Sequence, residues 1–253
     1  MEFHIRCDPQ DISRYCFTPG DHARARKIAA HFERARLVSE SRGYLVLSGY
    51  FGGAFMTVCA TGMGGPTVAI ALEELGHMGA DTFIRVGSCG VLQPGLTVGD
   101  VVISIGAVRG GGTANAYLPP SFPAVPSFEV TRALVDAAAD RGIAVHVGVS
   151  SSGDAFYAPS RGQDLREGNV LAVEMEADTL FIVGQYRGWR TGALFASDGT
   201  STEIKPAWGE EAFRRGEENA IRIALEAMRG IAKKDAGQEG KDESLLAGEG
   251  ANG

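Results

Sequence analysis

Short apolar runs alternate with amphipathic stretches along the chain, a pattern that predicts strands and helices in turn. Residues 16–18 read as a short strand stopping at Pro19-Gly20. Residues 22–34 read as a helix with Ile28, Ala29 and Phe32 on one face. Residues 44–50 and 54–60 read as strands flanking a Gly52-Gly53 turn. After the glycine-rich Thr61-Gly62-Met63-Gly64-Gly65, Pro66 suits the start of a helix over 67–78. Residues 82–86 are expected to be a buried strand ending in a Gly87-Ser88-Cys89-Gly90 turn, and 101–108 another strand. The Gly- and Pro-rich residues 109–126 read as a long loop of the kind that often carries function. A helix over 128–141 follows, with Val130, Leu134, Val135 and Ala138 on its buried stripe. Strands at 144–149 and 170–173, a helix at 175–187, a strand at 192–196 and a long helix at about 209–232 complete the pattern. No internal repeat is found. Strands alternating with helices predict an α/β fold: a single-domain three-layer α/β/α sandwich with a mixed, largely parallel central sheet, spanning 1–234. Residues 235–253 have only Leu245-Leu246 as an apolar pair and are expected to be a disordered tail.

Composition narrows the class. The chain has 253 residues, 44% of them hydrophobic, enough for one sizeable core. A formal net charge of −7 argues against an extended nucleic-acid footprint. The N-terminus has no apolar signal core, and no run approaches the ~18 apolar residues of a membrane span. A soluble, cytoplasmic protein is expected. Cys7, Cys16, Cys59 and Cys89 form no CxxC pair and read as reduced thiols.

Several familiar motifs fail. Gly62-x-Gly64 lacks the third glycine of a dinucleotide fingerprint, and the single Gly-Lys precedes Asp242, so there is no P-loop. The five histidines have no metal-ligand spacing, and Ser151-Ser152-Gly153 is not a nucleophile elbow. Neither a metal nor a cofactor is expected. What stands out instead is Arg24 after Pro19-Gly20-Asp21, Arg85 before Gly87-Ser88, the acidic Glu174-Met175-Glu176 and the later Ser197-Asp198. Arginines at strand or turn ends suit an anion, a carboxylate pair suits sugar hydroxyls, and an Asp can move a proton.

From Arg85 on, the resemblance becomes specific. Arg-x-Gly-Ser-Cys-Gly, Leu92-Gln93-Pro94 and Val98-Gly99-Asp100 resemble the trimeric/hexameric nucleoside phosphorylase family. So do Pro19-Gly20-Asp21-x-x-Arg24, Thr61-Gly62-Met63-Gly64, Asp154-Ala155-Phe156-Tyr157, Val173-Glu174-Met175-Glu176-Ala177 and Ser197-Asp198, all in the family's order across roughly residues 3–232. The resemblance implies a pentosyltransferase that uses inorganic phosphate as co-substrate. It places phosphate against Gly20, Arg24, Arg85 and Ser88, with Arg42 supplied by a neighbouring subunit. It places ribose against Met63, Met175 and Glu176, with His4 crossing from a neighbour, and the base against Phe156, Val173, Glu174 and Ser197. A homo-oligomer, a hexamer built as a trimer of dimers, is implied with it.

The leaving base is read from two regions that disagree. Purine members of the family protonate the base from an Asp in a Ser-Asp turn, here Asp198, assisted by an arginine matched by Arg214 or its neighbour Arg215. Pyrimidine members read uracil with Gln-x-Arg after the Phe-Tyr block, where this chain has Arg161 and Gln163 in reversed order and a shorter insertion. Residues 92–100 and 122–125 look more like the uridine branch. Weighting the base-contacting half gives phosphorolysis of purine nucleosides as the expectation and uridine as the alternative. 5′-Methylthioadenosine is a further candidate substrate, and hydrolysis by a nucleosidase a more distant one. Residues 109–126 and the segment after Tyr157 are the candidates for closing over the site.

Overall fold

A computed structural model of the protein describes residues 1–157, 162–200 and 210–249. Three strands, β2 (Glu33–Ser41), β3 (Tyr44–Phe51) and β4 (Ala54–Ala60), form an antiparallel meander. Its two turns are Arg42-Gly43 and Gly52-Gly53, and all four residues have positive φ, from 51° to 86°. Two-residue turns of that hand match the twist of the flanking strands. β1 (Tyr15–Phe17) lies parallel to β4 on one side and to β5 (Thr82–Val91) on the other. β5 pairs in parallel along its whole length with β9 (Arg190–Thr200). β9 runs antiparallel to β6 (Val101–Gly110), β6 parallel to β7 (Val145–Gly153), and β7 parallel to β8 (Ala172–Glu174). β8 returns to β5 through Gly90–Val173 and Val91–Ala172, so these five strands close a ring at one side of the mixed sheet.

Helices cover both faces. α1 (His22–Ala29), α3 (Phe128–Asp140) and α6 (Glu211–Glu249) pack over Ile84, Val86, Ile103 and Leu194. α2 (Gly65–His77) and α5 (Ala177–Arg187) pack over Phe83, Val102, Ala193 and Phe195 on the other face. Alternate residues of one strand thus enter two cores, which is why the central strands read as unbroken apolar runs. A short helix α4 (Gly162–Glu167) lies between β7 and β8. No helix among the described residues is long and apolar enough to cross a membrane.

Four sequence expectations need correction. The helix expected over 22–34 ends at Ala29, and β2 begins at Glu33. β2 is an edge strand, exposed along most of its length, so it has no buried face to give an apolar alternation. Residues 87–90 are not a turn but the continuation of β5. Gly87 is needed there for packing, since a Cβ would come within 2.8 Å of the Phe195 ring. The loop at 109–126 contains a turn of 3-10 helix, Thr113–Ala116, and is braced. The Arg109 guanidinium donates to the carbonyls of Leu118, Pro119 and Phe122 and to Asn115 Oδ1, and Ala107 N–H donates to Ala124 O. Helix α6 crosses the boundary expected at 235: Asp235 accepts from both terminal nitrogens of Arg190 (3.0 and 2.6 Å) and from the Tyr15 hydroxyl (2.9 Å).

Candidate active site

Gly20, Arg24, Arg85, Ser88, Glu176 and Asp198 gather toward the carboxyl ends of β1, β4, β5 and β9, the edge where α/β sheets place ligands. The Pro19-Gly20 turn leaves β1 and is tied to the β4 turn, with Thr61 N–H on Pro19 O (2.8 Å) and Gly62 N–H on Gly20 O (3.0 Å). Gly20 has little room: a Cβ would lie 3.0 Å from Gly62 O and 3.5 Å from an Arg85 terminal nitrogen. Asp21 caps α1 by accepting from Arg24 N–H (3.0 Å), so the sequence Gly-Asp-x-x-Arg sets both the helix start and the arginine one turn on.

Both arginines are buried and both are held by carboxylates. Arg24 Nε donates to Glu217 of α6 at 2.8 Å, and the other Glu217 oxygen takes Lys27 Nζ. Arg85 is only 4% exposed. Its terminal nitrogens reach Thr18 O (3.2 Å) and Glu176, and its Nε lies 4.0 Å from Glu174. Among the described residues, neither Arg85 Nε nor the buried Thr18 hydroxyl has a hydrogen-bond partner. Two buried donors left over beside one another are what an acceptor-rich ligand would satisfy.

Glu176 sits at the N-cap of α5 but does not cap it. Its carboxylate turns toward Gly64 N–H (2.7 Å) and Arg85. Gly64 has φ of 91°, which lets its N–H face that way. The capping is done by Glu174, whose Oε2 accepts from Glu176 N–H (2.9 Å) and Ala177 N–H (2.8 Å), while Oε1 takes the Ser152 hydroxyl. Burial, and then the charge of Glu176, push the Glu174 carboxyl well above the usual carboxylate range against the opposing pull of Arg85. The two glutamates of one short motif therefore have different surroundings, and Glu174 is turned into the protein rather than toward a base.

Asp198 owes its position to a break in the ladder. Cys89 pairs with Ser197 and Gly90 with Gly199, which leaves Asp198 as the extra residue of a β-bulge in β9. Bulges re-aim a side chain, and they concentrate beside active sites. Asp198 is buried, and the Ser197 hydroxyl donates to Gly199 O (3.2 Å) across the bulge. Ser88 is half-buried on the neighbouring strand at the same end, opposite Ala196. Val173, opposite Gly90, and Met175 are also half-buried nearby. Met63 and Phe156 are exposed, and Phe156 meets Tyr157 edge-on with ring centroids 5.0 Å apart. Arg214 is on the exposed side of α6, and Arg215 is paired with Glu211 there. Arg161 lies outside the described residues, as does the Gln163 side chain.

His4 and Arg42 form a separate group. The Arg42 guanidinium lies 4.8 Å over the ring of Phe3, and Phe3 meets the His4 ring edge-on at 4.8 Å. The two residues expected to act in a neighbour's site are thus brought together by one exposed aromatic. Sequence reading missed Glu217, Ser152, Thr18 and Glu74. Two of these carried a legible signal: Glu217 falls on the apolar stripe of α6 between Phe213 and Ala220, and Glu74 lies next to the buried Leu75 in α2. An acid on a buried stripe needs a partner.

Buried arginines with an unbonded donor, a carboxylate turned toward one of them and a bulge-borne acid make an arrangement chemically suited to an anion and to hydroxyl groups. Residues 14–229 match the Phosphorylase superfamily. The chain is 39% identical to a uridine phosphorylase of Thermococcus kodakarensis, over 94% of this chain and 90% of that one. It is 36% identical to a guanosine phosphorylase of Halorubrum lacusprofundi, over 89% and 97%. The structure of Vibrio fischeri uridine phosphorylase complexed with 6-hydroxy-1-naphthoic acid superimposes with a TM-score of 0.85 at 31% identity, covering 90% of this chain and 96% of that one. The chain belongs to the Phosphorylase superfamily and, within it, is a nucleoside phosphorylase.

Proposed function

We propose that the enzyme cleaves uridine with inorganic phosphate to give uracil and α-ribose-1-phosphate. Phosphorolysis is carried by one observation: the buried Arg85, whose Nε makes no hydrogen bond among the described residues and has Glu174 only at 4.0 Å, beside a Thr18 hydroxyl that is likewise without a hydrogen bond. Water as the nucleophile would give these donors no purpose. Phosphate would lie against Gly20, Arg24, Arg85 and Ser88, and one of its oxygens attacks C1′. The C1′–O bond forms as the C1′–N bond breaks, with inversion, and the electron pair of the broken bond leaves with the base. Positioning of this kind can lower a barrier by several kcal/mol, roughly 7 or more in the best cases. Glu176 accepts from the ribose 2′- and 3′-hydroxyls, and Met175 and Met63 line the sugar. No further cofactor is required.

Uridine is preferred because relatives named uridine phosphorylases resemble this chain along nearly its full length, in agreement with residues 92–100 and 122–125. A specific observation favours purine nucleosides as the second reading. Asp198 is re-aimed by a bulge, as a donor to purine N7 would need to be, and a guanosine phosphorylase is also among the relatives. The proposed assembly is a homo-oligomer, a hexamer built as a trimer of dimers, in which Arg42 and His4 complete a neighbouring copy's site.

The test is base release from uridine, inosine, guanosine, adenosine and 5′-methylthioadenosine, each with and without phosphate, by wild type and Asp198→Ala. Phosphate-dependent uridine cleavage, little changed in the variant, is the expected result. Purine cleavage that falls at least ~10²-fold in the variant, the low end of general-acid effects, would establish the second reading. Release without phosphate would overturn phosphorolysis.

A further inference from the structure

The consecutive acids Glu73 and Glu74 of α2 do different things. Glu73 is paired with Arg187 at the surface. Glu74 is buried beneath the N-terminal arm and binds three of its donors. Its two oxygens each lie 3.0 Å from His4 N, Oε2 accepts from Ile5 N–H at 2.8 Å, and Oε1 accepts from His4 Nδ1 at 2.5 Å. One carboxylate thus fixes both the backbone and the ring of a single histidine. That histidine is the one placed against a neighbour's sugar, and its ring is buttressed by Phe3.

We propose that Glu74 is the positioning residue for His4. With Nδ1 committed to the carboxylate, Nε2 is the only ring nitrogen left to a sugar hydroxyl. With two successive amides held, the ring is delivered from a fixed point of α2 rather than from a loose arm. A histidine's second nitrogen is commonly set in this way by the partner of the first. The inference rests on the reading of His4 given above and adds the residue through which His4 acts. Arg42 needs no such anchor, since it sits in a hairpin turn and stacks on Phe3.

The experiment is a double-mutant cycle in the full-length enzyme: wild type, His4→Ala, Glu74→Gln and the double variant. It measures KM and kcat for the nucleoside, KM for phosphate and thermal stability. The expected result is a roughly tenfold rise in nucleoside KM for each single variant and no further rise in the double, since residues acting through one contact are not additive. KM for phosphate should stay within about twofold. His4→Ala without effect would remove His4 from the site, and the proposal with it. His4→Ala with effect but Glu74→Gln without would overturn the proposal alone. A Glu74→Gln variant that loses stability, or changes both KM values together, would make Glu74 a structural anchor and also overturn it. Nitrogen-15 spectra of the His4 ring give an independent reading: Nδ1 should carry the proton in wild type and lose that preference in Glu74→Gln.

Discussion

Replacing Arg85 by Met tests fold and function in one variant. The side chain keeps its apolar stem and loses the guanidinium with its charge and hydrogen bonds. Arg85 is almost wholly buried between Glu176, which one terminal nitrogen binds, and Glu174 at 4.0 Å. Removing one member of a buried ion pair leaves an uncompensated charge and costs about 3–5 kcal/mol. Loss of the bond to Thr18 O adds about 1 kcal/mol. Against the roughly 5–15 kcal/mol of a typical domain, a loss of about 4–6 kcal/mol is a large fraction, and the variant stays folded only where the wild type has more than about 6 kcal/mol. Urea titration measures the cost. Arg85→Met with Glu176→Gln should recover part of it, because the double variant no longer strands the Glu176 charge. The functional half of the prediction needs no turnover. Phosphate at a hundred times its Kd stabilises a protein that binds it only when folded by about 2.7 kcal/mol, roughly 5–10 °C in Tm for a chain of this size. Wild type should show that shift and Arg85→Met should not. A variant within about 1 kcal/mol of wild type would refute the pairing argument. A variant still protected by phosphate would refute Arg85 as its ligand.

The remaining predictions concern a titration and a packing contact. Glu174 holds its proton in the folded protein at pH values where the unfolded chain has lost it, so its contribution to stability falls as pH rises from about 4 through neutrality. Glu174→Gln, isosteric and uncharged, should therefore melt higher than wild type above neutral pH and gain nothing near pH 4; a constant difference across that range would refute burial of the charge as the cause. Gly216 of α6 packs on the backbone of Gly99, where a Cβ would fall 2.3 Å from Gly99 O. Helix propensity alone makes Gly216→Ala stabilising by about 1 kcal/mol. The contact reverses the sign, and denaturant titration should show a loss of about 1–3 kcal/mol or more.

How much of this was legible in the sequence follows from which forces wrote it. The elements with a buried stripe or face read correctly in kind, because burial imposes a period: β3, β4, α3 and β6 lie within two residues of their expected limits. β2 is not legible, with its first two residues read as the end of the helix at 22–34 and the rest given no element, because pairing to β3, not burial, makes it a strand. Gly87 and Gly90 read as a turn because glycine usually marks one, whereas here they lie within β5 and Gly87 makes room for the Phe195 ring. In the site, residues set by local geometry were visible: Gly20, Asp21 and Arg24 in one cap, Glu174 and Glu176 in one motif. What could not be seen was the pairing across the chain. Nothing local says that Glu217 meets Arg24 from 193 positions away, or that Ser152 meets Glu174. The bulge that singles out Asp198 is likewise a property of two strands rather than one.

The charges of the site show why its parts are arranged together. Arg24, Lys27 and Arg85 face Glu217, Glu176 and Glu174, three cations against three carboxylates. A site balanced in this way gains nothing from net charge when phosphate arrives with up to two negative charges. Two sources can restore the balance. One is Arg42 of a neighbouring copy, which the proposed oligomer brings in. The other is a proton on Glu174, whose carboxyl its burial and the charge of Glu176 push upward. The local bonding permits that proton without loss of the helix cap. Oε2 holds the two N–H groups of α5, and among the described residues Oε1 is bonded to the Ser152 hydroxyl, which also accepts from Asp178 N–H. A hydroxyl donates or accepts equally well. Protonating Oε1 therefore turns the Ser152 bond around and leaves α5 capped, with Glu176 still aimed at Gly64 and Arg85. The motif's first glutamate thus caps the helix while the second points into the site.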